Sequence, residues 1–408
     1  MKRSQAVELG YDGARQSAPL AVSAAATLNA AAKQRIQSID ALRGAVMLLM
    51  LVDHVREFFF LHAQVPDPMD ISTTSPGLFA SRLLAHFCAP AFIVLTGLSA
   101  WLYSQSRGGK AAASAFLFKR GLFLIVLELT VVSFAWTFSL PPQTLFLQVI
   151  WVIGLSMIAL SALLWLPRAA VLAIGLLIVL GHNFLDPIAF AAGEPGHAIW
   201  AILHDRGYIE LTETVRARTS YPLLPWIGVI ALGWCAGPWF GRNTPAGVRR
   251  GRLILVGCAS VALFALLRAT NIYGDPYPWL TGASALQTVM SFFNVTKYPP
   301  SADFILLTLG VGALVLAWLE KVPTRGLATI AVFGAAPLFF YVIHLYVLHL
   351  LNLAALAAFG PNQGAYFSLA NVGALWLLSA VVAVPLWFLC RWFVGVKRRS
   401  GNTLLSYL

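Results

Sequence analysis

Apolar residues in this chain gather in long unbroken runs, not in the alternation of a half-buried strand or the three-to-four spacing of a surface helix. Runs approaching the roughly 20 residues that a membrane-spanning helix needs begin near residues 39, 78, 116, 145, 168, 221, 252, 301, 327 and 369. They predict an all-α fold: a polytopic integral membrane bundle of about ten transmembrane helices.

The polar segments between the runs test that count, because cytoplasmic loops are enriched in Lys and Arg. Alternate loops carry Arg107, Lys110, Lys119 and Arg120; Arg168; Arg242, Arg249, Arg250 and Arg252; Lys321 and Arg325; and Arg391, Lys397, Arg398 and Arg399. The loops between them are nearly bare. Segments 63–77, 139–144 and 352–368 hold no Lys or Arg, 271–300 holds only Lys297, and three Arg in 187–220 are balanced by acids. One miscounted helix would invert every later loop, so the agreement predicts both termini in the cytoplasm.

Composition fits the same picture. Hydrophobic residues make up 59% of the 408, charged residues 11%, and mean hydropathy is +0.76, too little polar surface for a water-soluble globule. Membrane lipids are the expected partners. The net charge of +12 sits in short loops and reads as topology, not as a nucleic-acid footprint. Cys88, Cys235, Cys258 and Cys390 lie in apolar runs without metal-ligand spacing and read as small core hydrophobes. Residues 1–37 lack an h-region and cleavage site and read as a disordered cytoplasmic tail. The transmembrane domain covers 38–395, and 396–408 form a cytoplasmic C-terminal tail.

Chemistry must come from polar groups that lipid makes costly, since a charge at mid-bilayer costs roughly 2.5–3.5 kcal/mol on insertion scales. The first run carries Asp40 and Arg43 near one end and Asp53, His54, Arg56 and Glu57 near the other. Arg43 and His54 are eleven residues apart, close to three helical turns, and so share one face at different depths. Arg82 and His86 are neighbours on the second span, Glu128 lies in the third, and His344 in the ninth. Asp53, His54, His86, Glu128 and His344 are candidates for one polar cluster, although each alone also fits a side chain bonded to a neighbouring helix or snorkelling to the surface. Histidine suits general acid and base work near neutral pH, with Asp53 or Glu128 to orient it. No H-E-x-x-H spacing appears, and no metal is assigned.

Several segments resemble a known family. Ser38 to Gly44 followed by His54 resembles the Arg, ten residues, His motif of membrane acyltransferase-3 proteins. Asp53 to Phe59, His86 to Phe92, Tyr221 to Gly228 and Asn294 to Pro300 look like the bacterial branch of the heparan-α-glucosaminide N-acetyltransferase catalytic-domain family, a likeness covering most of 35–350. The resemblance implies an acyltransferase of the bacterial inner membrane that moves acetyl from cytoplasmic acetyl-CoA to a hydroxyl or amine of an external, glycan-like acceptor. It implies a catalytic His in the first span or the loop after it. His54 fits the acyltransferase-3 motif; the lysosomal branch has Asn there and uses a His farther on, for which His62 is the nearest counterpart. Arg43 and Arg120, with the basic loops around Lys119, Arg249 and Arg250, are candidates to receive the donor's phosphates.

The segments 187–220 and 271–300, rich in Pro, Tyr and Trp, suit lids over an acceptor. Residues from Ala283 to Phe293 are expected to form a short interfacial helix, and Arg82, Asn294 and Lys297 are candidate acceptor contacts. The competing class is a proton-coupled small-molecule transporter, which also places polar residues at mid-depth in a bundle.

Overall fold

The computed structural model describes residues 17–400 with Leu405 and Tyr407, and side chains from Gln37 onward. Its helices are α1 Ser17–Phe59, α2 Pro76–Ala85, α3 Cys88–Ser106, α4 Gly109–Leu127, α5 Ser133–Thr137, α6 Val149–Leu163, α7 Arg168–Gly181 and α8 His197–Leu203. They continue as α9 Leu224–Ala236, α10 Ala246–Thr270, α11 Ala285–Phe293, α12 Ala302–Leu319, α13 Thr324–Ala335, α14 Pro337–Phe359 and α15 Val372–Arg399. Helix stands at every predicted run. Among the described residues, six stretches are long and apolar enough to cross a membrane: Pro76–Ser106, Arg168–Leu185, Ala246–Thr270, Ala302–Leu319, Pro337–Phe359 and Val372–Arg399. The other runs fall short for local reasons. α1 carries charge at both ends of its apolar stretch, α4 passes through a π-turn at Glu128–Val132 before α5, and α6 and α9 are only 15 and 13 residues long.

Three sequence expectations change. The ninth run is two helices, because Pro337 has no N–H to donate and disfavours helical backbone at Ala336, which sits at φ −136°, ψ 56°. The fold is not purely helical: β1 Thr144–Leu147 pairs parallel with β3 Arg216–Thr219, which pairs antiparallel with β2 Tyr208–Glu210. The fourth helix therefore starts at Val149, not near 145. Of the residues 1–37 expected as a tail, the first 16 lie outside the described ones and α1 begins at Ser17.

Glycines set the helix spacing. A Cβ on Gly44 would overlap the Ile330 carbonyl oxygen and one on Gly334 that of Asp40, so α1 and α13 touch backbone to backbone. Gly97 and Gly233 do the same between α3 and α9; Gly121 with Gly154, Gly175 with Gly228, and Gly257 with Gly310 bring together α4 and α6, α7 and α9, and α10 and α12. In lipid, where apolar burial drives helices together little, such small-residue contacts gain dispersion energy from close approach. α1 lies centrally, against α2, α3, α12, α13, α14 and α15.

Candidate active site

Arg43, Met47, Met50 and His54 stand at offsets of four, seven and eleven residues, which places them along one face of α1. At the far end of that face His54 Nδ1 lies 2.6 Å from His344 Nε2 on α14. The other ring nitrogen of His344, Nδ1, is 2.9 Å from the Phe340 carbonyl oxygen. A carbonyl only accepts, so His344 carries its proton on Nδ1 and, when neutral, offers a bare Nε2. His54 must then donate from Nδ1, which leaves its Nε2 with a free lone pair; these tautomers are assigned from the hydrogen-bond network. His54 Nε2 has no hydrogen bond among the described residues. Trp136 and Tyr341 hold the ring edge-on, at centroid distances of 5.2 and 6.1 Å.

Two cavities follow the same face. The larger, about 510 Å³, opens at the Arg43 end and is lined by Arg43, Tyr103, Arg120, Lys397 and Arg398, with the α13 to α14 break beside it. Arg43 is steadied by Asp40 at 3.1 Å and by Ser99. Arg120 Nε is buried with no hydrogen-bond partner among the described residues. The smaller cavity, about 80 Å³, shares Phe92, Thr96, Arg120 and Pro337 with the larger. It is otherwise lined by Met47, Met50, Leu124, Ile150, Ile153 and Leu338 and reaches Tyr341, whose ring is 5.7 Å from that of His344. A basic mouth thus narrows to an apolar slot that ends beside the histidine pair.

At the opposite end Asp53 turns away from His54. Its carboxylate takes both contacts from Arg82, at 3.1 and 3.3 Å, and one from Arg56 at 3.1 Å. Arg56, 2% exposed, also bonds Gln64 at 3.2 Å and pairs with Glu57. Removing one partner from such a buried network would strand a charge, which makes it a rigid frame. Above it three cations converge on the Tyr298 ring: Arg82, Arg206 and the Lys297 ammonium lie 5.9, 5.1 and 5.2 Å from its centroid. The Tyr298 hydroxyl donates to that of Tyr221 at 3.1 Å. Lys297 has no ion pair among the described residues. Burial holds the neighbouring Asp67 carboxyl above the usual carboxylate range, against the pull of Arg82, Lys297 and Arg206.

The segment bearing Lys297 and Tyr298 is anchored from below. Arg268 donates to the carbonyls of Tyr277, Ser291, Phe292 and Asn294 at 2.7 to 3.1 Å, which caps the end of α11. Asp275 accepts from Thr296 N at 2.7 Å and from Ser301 Oγ at 2.7 Å.

Residues 35–266, more than half of the chain, match the family described as heparan-alpha-glucosaminide N-acetyltransferase, catalytic. The chain belongs to this family. No curated protein sequence matches it. Membership in this acetyltransferase family, with six apolar helices, makes the chain a multi-pass membrane transferase. The match is shorter than the stretch expected from residue likeness, 35–350. His54 and Arg82 lie inside it, while His344, Lys297 and Tyr298 lie beyond.

The expected five-residue cluster is divided. His54 and His344 join, and Asp53 belongs to the arginine network. His86 sits where α2 meets α3, a bend that Pro90 imposes by having no N–H for the His86 carbonyl. Its ring packs on Phe304 at 5.1 Å, and both its nitrogens are buried without partners among the described residues. Glu128 is buried at the π-turn, and neither carboxyl oxygen bonds a histidine. His62 is exposed in a turn at Leu61–Ala63, its ring tilted against that of Phe60 at 4.5 Å. Arg82 and Lys297 do meet at Tyr298, but Asn294 is spent holding the Met69 backbone, at 3.1 Å to N and 2.6 Å to O. Arg249, read as a phosphate candidate, is buried against Glu320 at 2.6 Å. Sequence reasoning missed Arg206, Tyr341 and Trp136, none of which has a telling spacing.

Proposed function

We propose that the chain transfers an acyl group, acetyl in the first instance, from cytoplasmic acyl-CoA across the bacterial inner membrane to a hydroxyl or amine of an external glycan-like acceptor. In this reading the ten runs are ten spans, with both termini in the cytoplasm. The observation that carries it is the His54–His344 bond, which frees His54 Nε2 as a base at the end of a slot whose mouth is basic.

Arg43, Arg120, Lys397 and Arg398 would hold the phosphates of the donor, and the walls of Met47, Met50, Ile150 and Leu338 would exclude water from its arm. Acyl-CoA supplies the activated thioester. His54 Nε2 accepts the proton of the attacking hydroxyl or amine as the C–S bond breaks, and afterwards returns it to the leaving thiolate. As Nε2 takes up that proton, the one on Nδ1 can shift toward His344 across 2.6 Å, spreading the cation over two rings. Tyr298, Tyr221 and the cations around them suit a polar, ring-bearing acceptor at the other mouth.

The test uses full-length protein in vesicles with labelled acetyl-CoA on the Arg43 side and an amino sugar on the other. Label should appear on the sugar with the wild type and with His62→Ala, and not with His54→Ala. Transfer by His54→Ala at the wild-type rate would refute the assignment, and failure to turn over any acyl-CoA would refute the activity.

A further inference from the structure

A second group of ligating side chains lies outside this machinery. His182 and Asp186, four residues apart just after α7, and His204, just after α8, each direct one donor atom so that all three lie within 4.8 Å of one another. His182 is 2% exposed and His204 3%. Neither ring nitrogen of His182 has a hydrogen-bond partner among the described residues. Buried imidazoles normally have partners, and a burial without one calls for an explanation.

The surroundings fit a cation. His204 Nε2 is 3.0 Å from the His182 carbonyl oxygen and 3.4 Å from Asp186 Oδ1, so two oxygens converge on the position of a single proton. Asn183 fixes the carboxylate from outside, donating to Asp186 Oδ2 at 2.8 Å while its own oxygen accepts from Ala302 N at 2.8 Å. Such bonds orient a ligand for metal. Trp200 stacks on His204 at 5.1 Å and donates to the Ile188 carbonyl at 2.7 Å, shielding the group.

We propose that His182, Asp186 and His204 bind one divalent transition-metal ion, Zn²⁺, that fastens the 187–203 excursion to the end of α7. Two imidazoles and a carboxylate are a zinc donor set, with a fourth position for water or the His182 carbonyl. Bonds of about 2.0–2.1 Å put tetrahedral donors roughly 3.3 Å apart, so the widest pair closes by about 1.5 Å from the 4.8 Å limit. The ion takes the place of the proton on His204 Nε2, which leaves to solvent. Because Arg206 follows His204 by two residues and covers Tyr298 at 5.1 Å, the ion also steadies one cation of the acceptor mouth. His182-x-x-x-Asp186 places two donors one turn apart, but His204 is joined to them only by the fold.

Purified full-length protein in detergent, stripped with chelator and titrated with Zn²⁺ against a chromophoric competitor, tests this. The wild type should take up one equivalent, and Co²⁺ in its place should give visible d–d bands. Asp186→Asn, which retains the bond to Asn183 but removes the anionic donor, should weaken uptake by more than the roughly 10–100-fold that loss of an outer hydrogen-bond partner of a metal ligand costs, and His182→Ala should abolish it. His197→Ala, which alters a histidine outside the set, should bind as the wild type does. Absence of stoichiometric zinc in the wild type, meaning ordered water fills the group, overturns the proposal. Equal zinc affinity in wild type and Asp186→Asn overturns it as well.

Discussion

The two mouths of the bundle are both basic, yet their charges are arranged differently. At the Arg43 end the cations line an open cavity of about 510 Å³, and Arg120 Nε has no partner among the described residues. At the Tyr298 end Arg82 is already committed to Asp53, Asp67 stands close by, and the charges focus on an aromatic ring. Free charge over a wide cavity suits a polyanion held by its phosphates, whereas compensated charge over a ring gains little from bulk anion attraction and selects by shape and orientation. Between them stand His54 and His344, so under the proposed transfer the two mouths would differ in which substrate's binding each one controls.

The largest expected effect falls on the residues between the mouths. His54→Ala should lower kcat by about 10³-fold, within the range for loss of a positioned base, with KM for both substrates little changed. His344→Leu removes the acceptor that fixes the tautomer and should cost about 10–100-fold in kcat, as second-sphere partners of a working imidazole do. His344→Gln, whose amide oxygen can accept from His54 Nδ1, should recover part of that loss. Equal kcat in His344→Leu and wild type would show that the pair is a packing contact only.

How much of this was readable in the sequence follows from where each signal resides. Helix positions were legible because a run of apolar residues is a local property. The α1 face from Arg43 to His54 follows from helical periodicity alone. The partner of His54 did not: Asp53, His86, Glu128 and His344 were all candidates to stand beside it, and only helix rotation, set by contacts such as Gly44 against Ile330, brings His344 and not His86 to it. Asp53 turned to Arg82 for the same reason. Arg206 was illegible because a short sheet and α8 carry it to Tyr298, and neither has a periodic signal long enough to read.

A smaller effect separates the mouths directly. Arg120→Ala should raise KM for acyl-CoA roughly 3–10-fold and reduce its salt sensitivity, since a charge–phosphate contact is screened at physiological ionic strength, and it should leave KM for the acceptor unchanged. Arg206→Ala should do the reverse, raising acceptor KM by a similar factor with no change for the donor. Steady-state kinetics with each substrate varied in turn give both numbers. A shift in the same KM by both variants would collapse the distinction between the two ends.

The smallest effect concerns Asp67, the acid at the Tyr298 mouth. Burial raises its carboxyl above the ordinary value of 3.8 even with Arg82, Lys297 and Arg206 nearby. The unfolded chain therefore gives up this proton at lower pH than the folded one, and stability falls as pH rises through the window from 3.8 up to the raised value. Above the raised value the ionised group carries that full cost; below the unfolded value it carries none. Asp67→Asn keeps an oxygen for the Lys297 amide, 3.4 Å away, and removes the charge. Its melting temperature at pH 7 should exceed that of the wild type by on the order of 1–3 °C, and the difference should vanish below pH 4. A variant less stable at pH 7 would mean that attraction to the three cations outweighs burial, and the Tyr298 mouth would then be held together by charge.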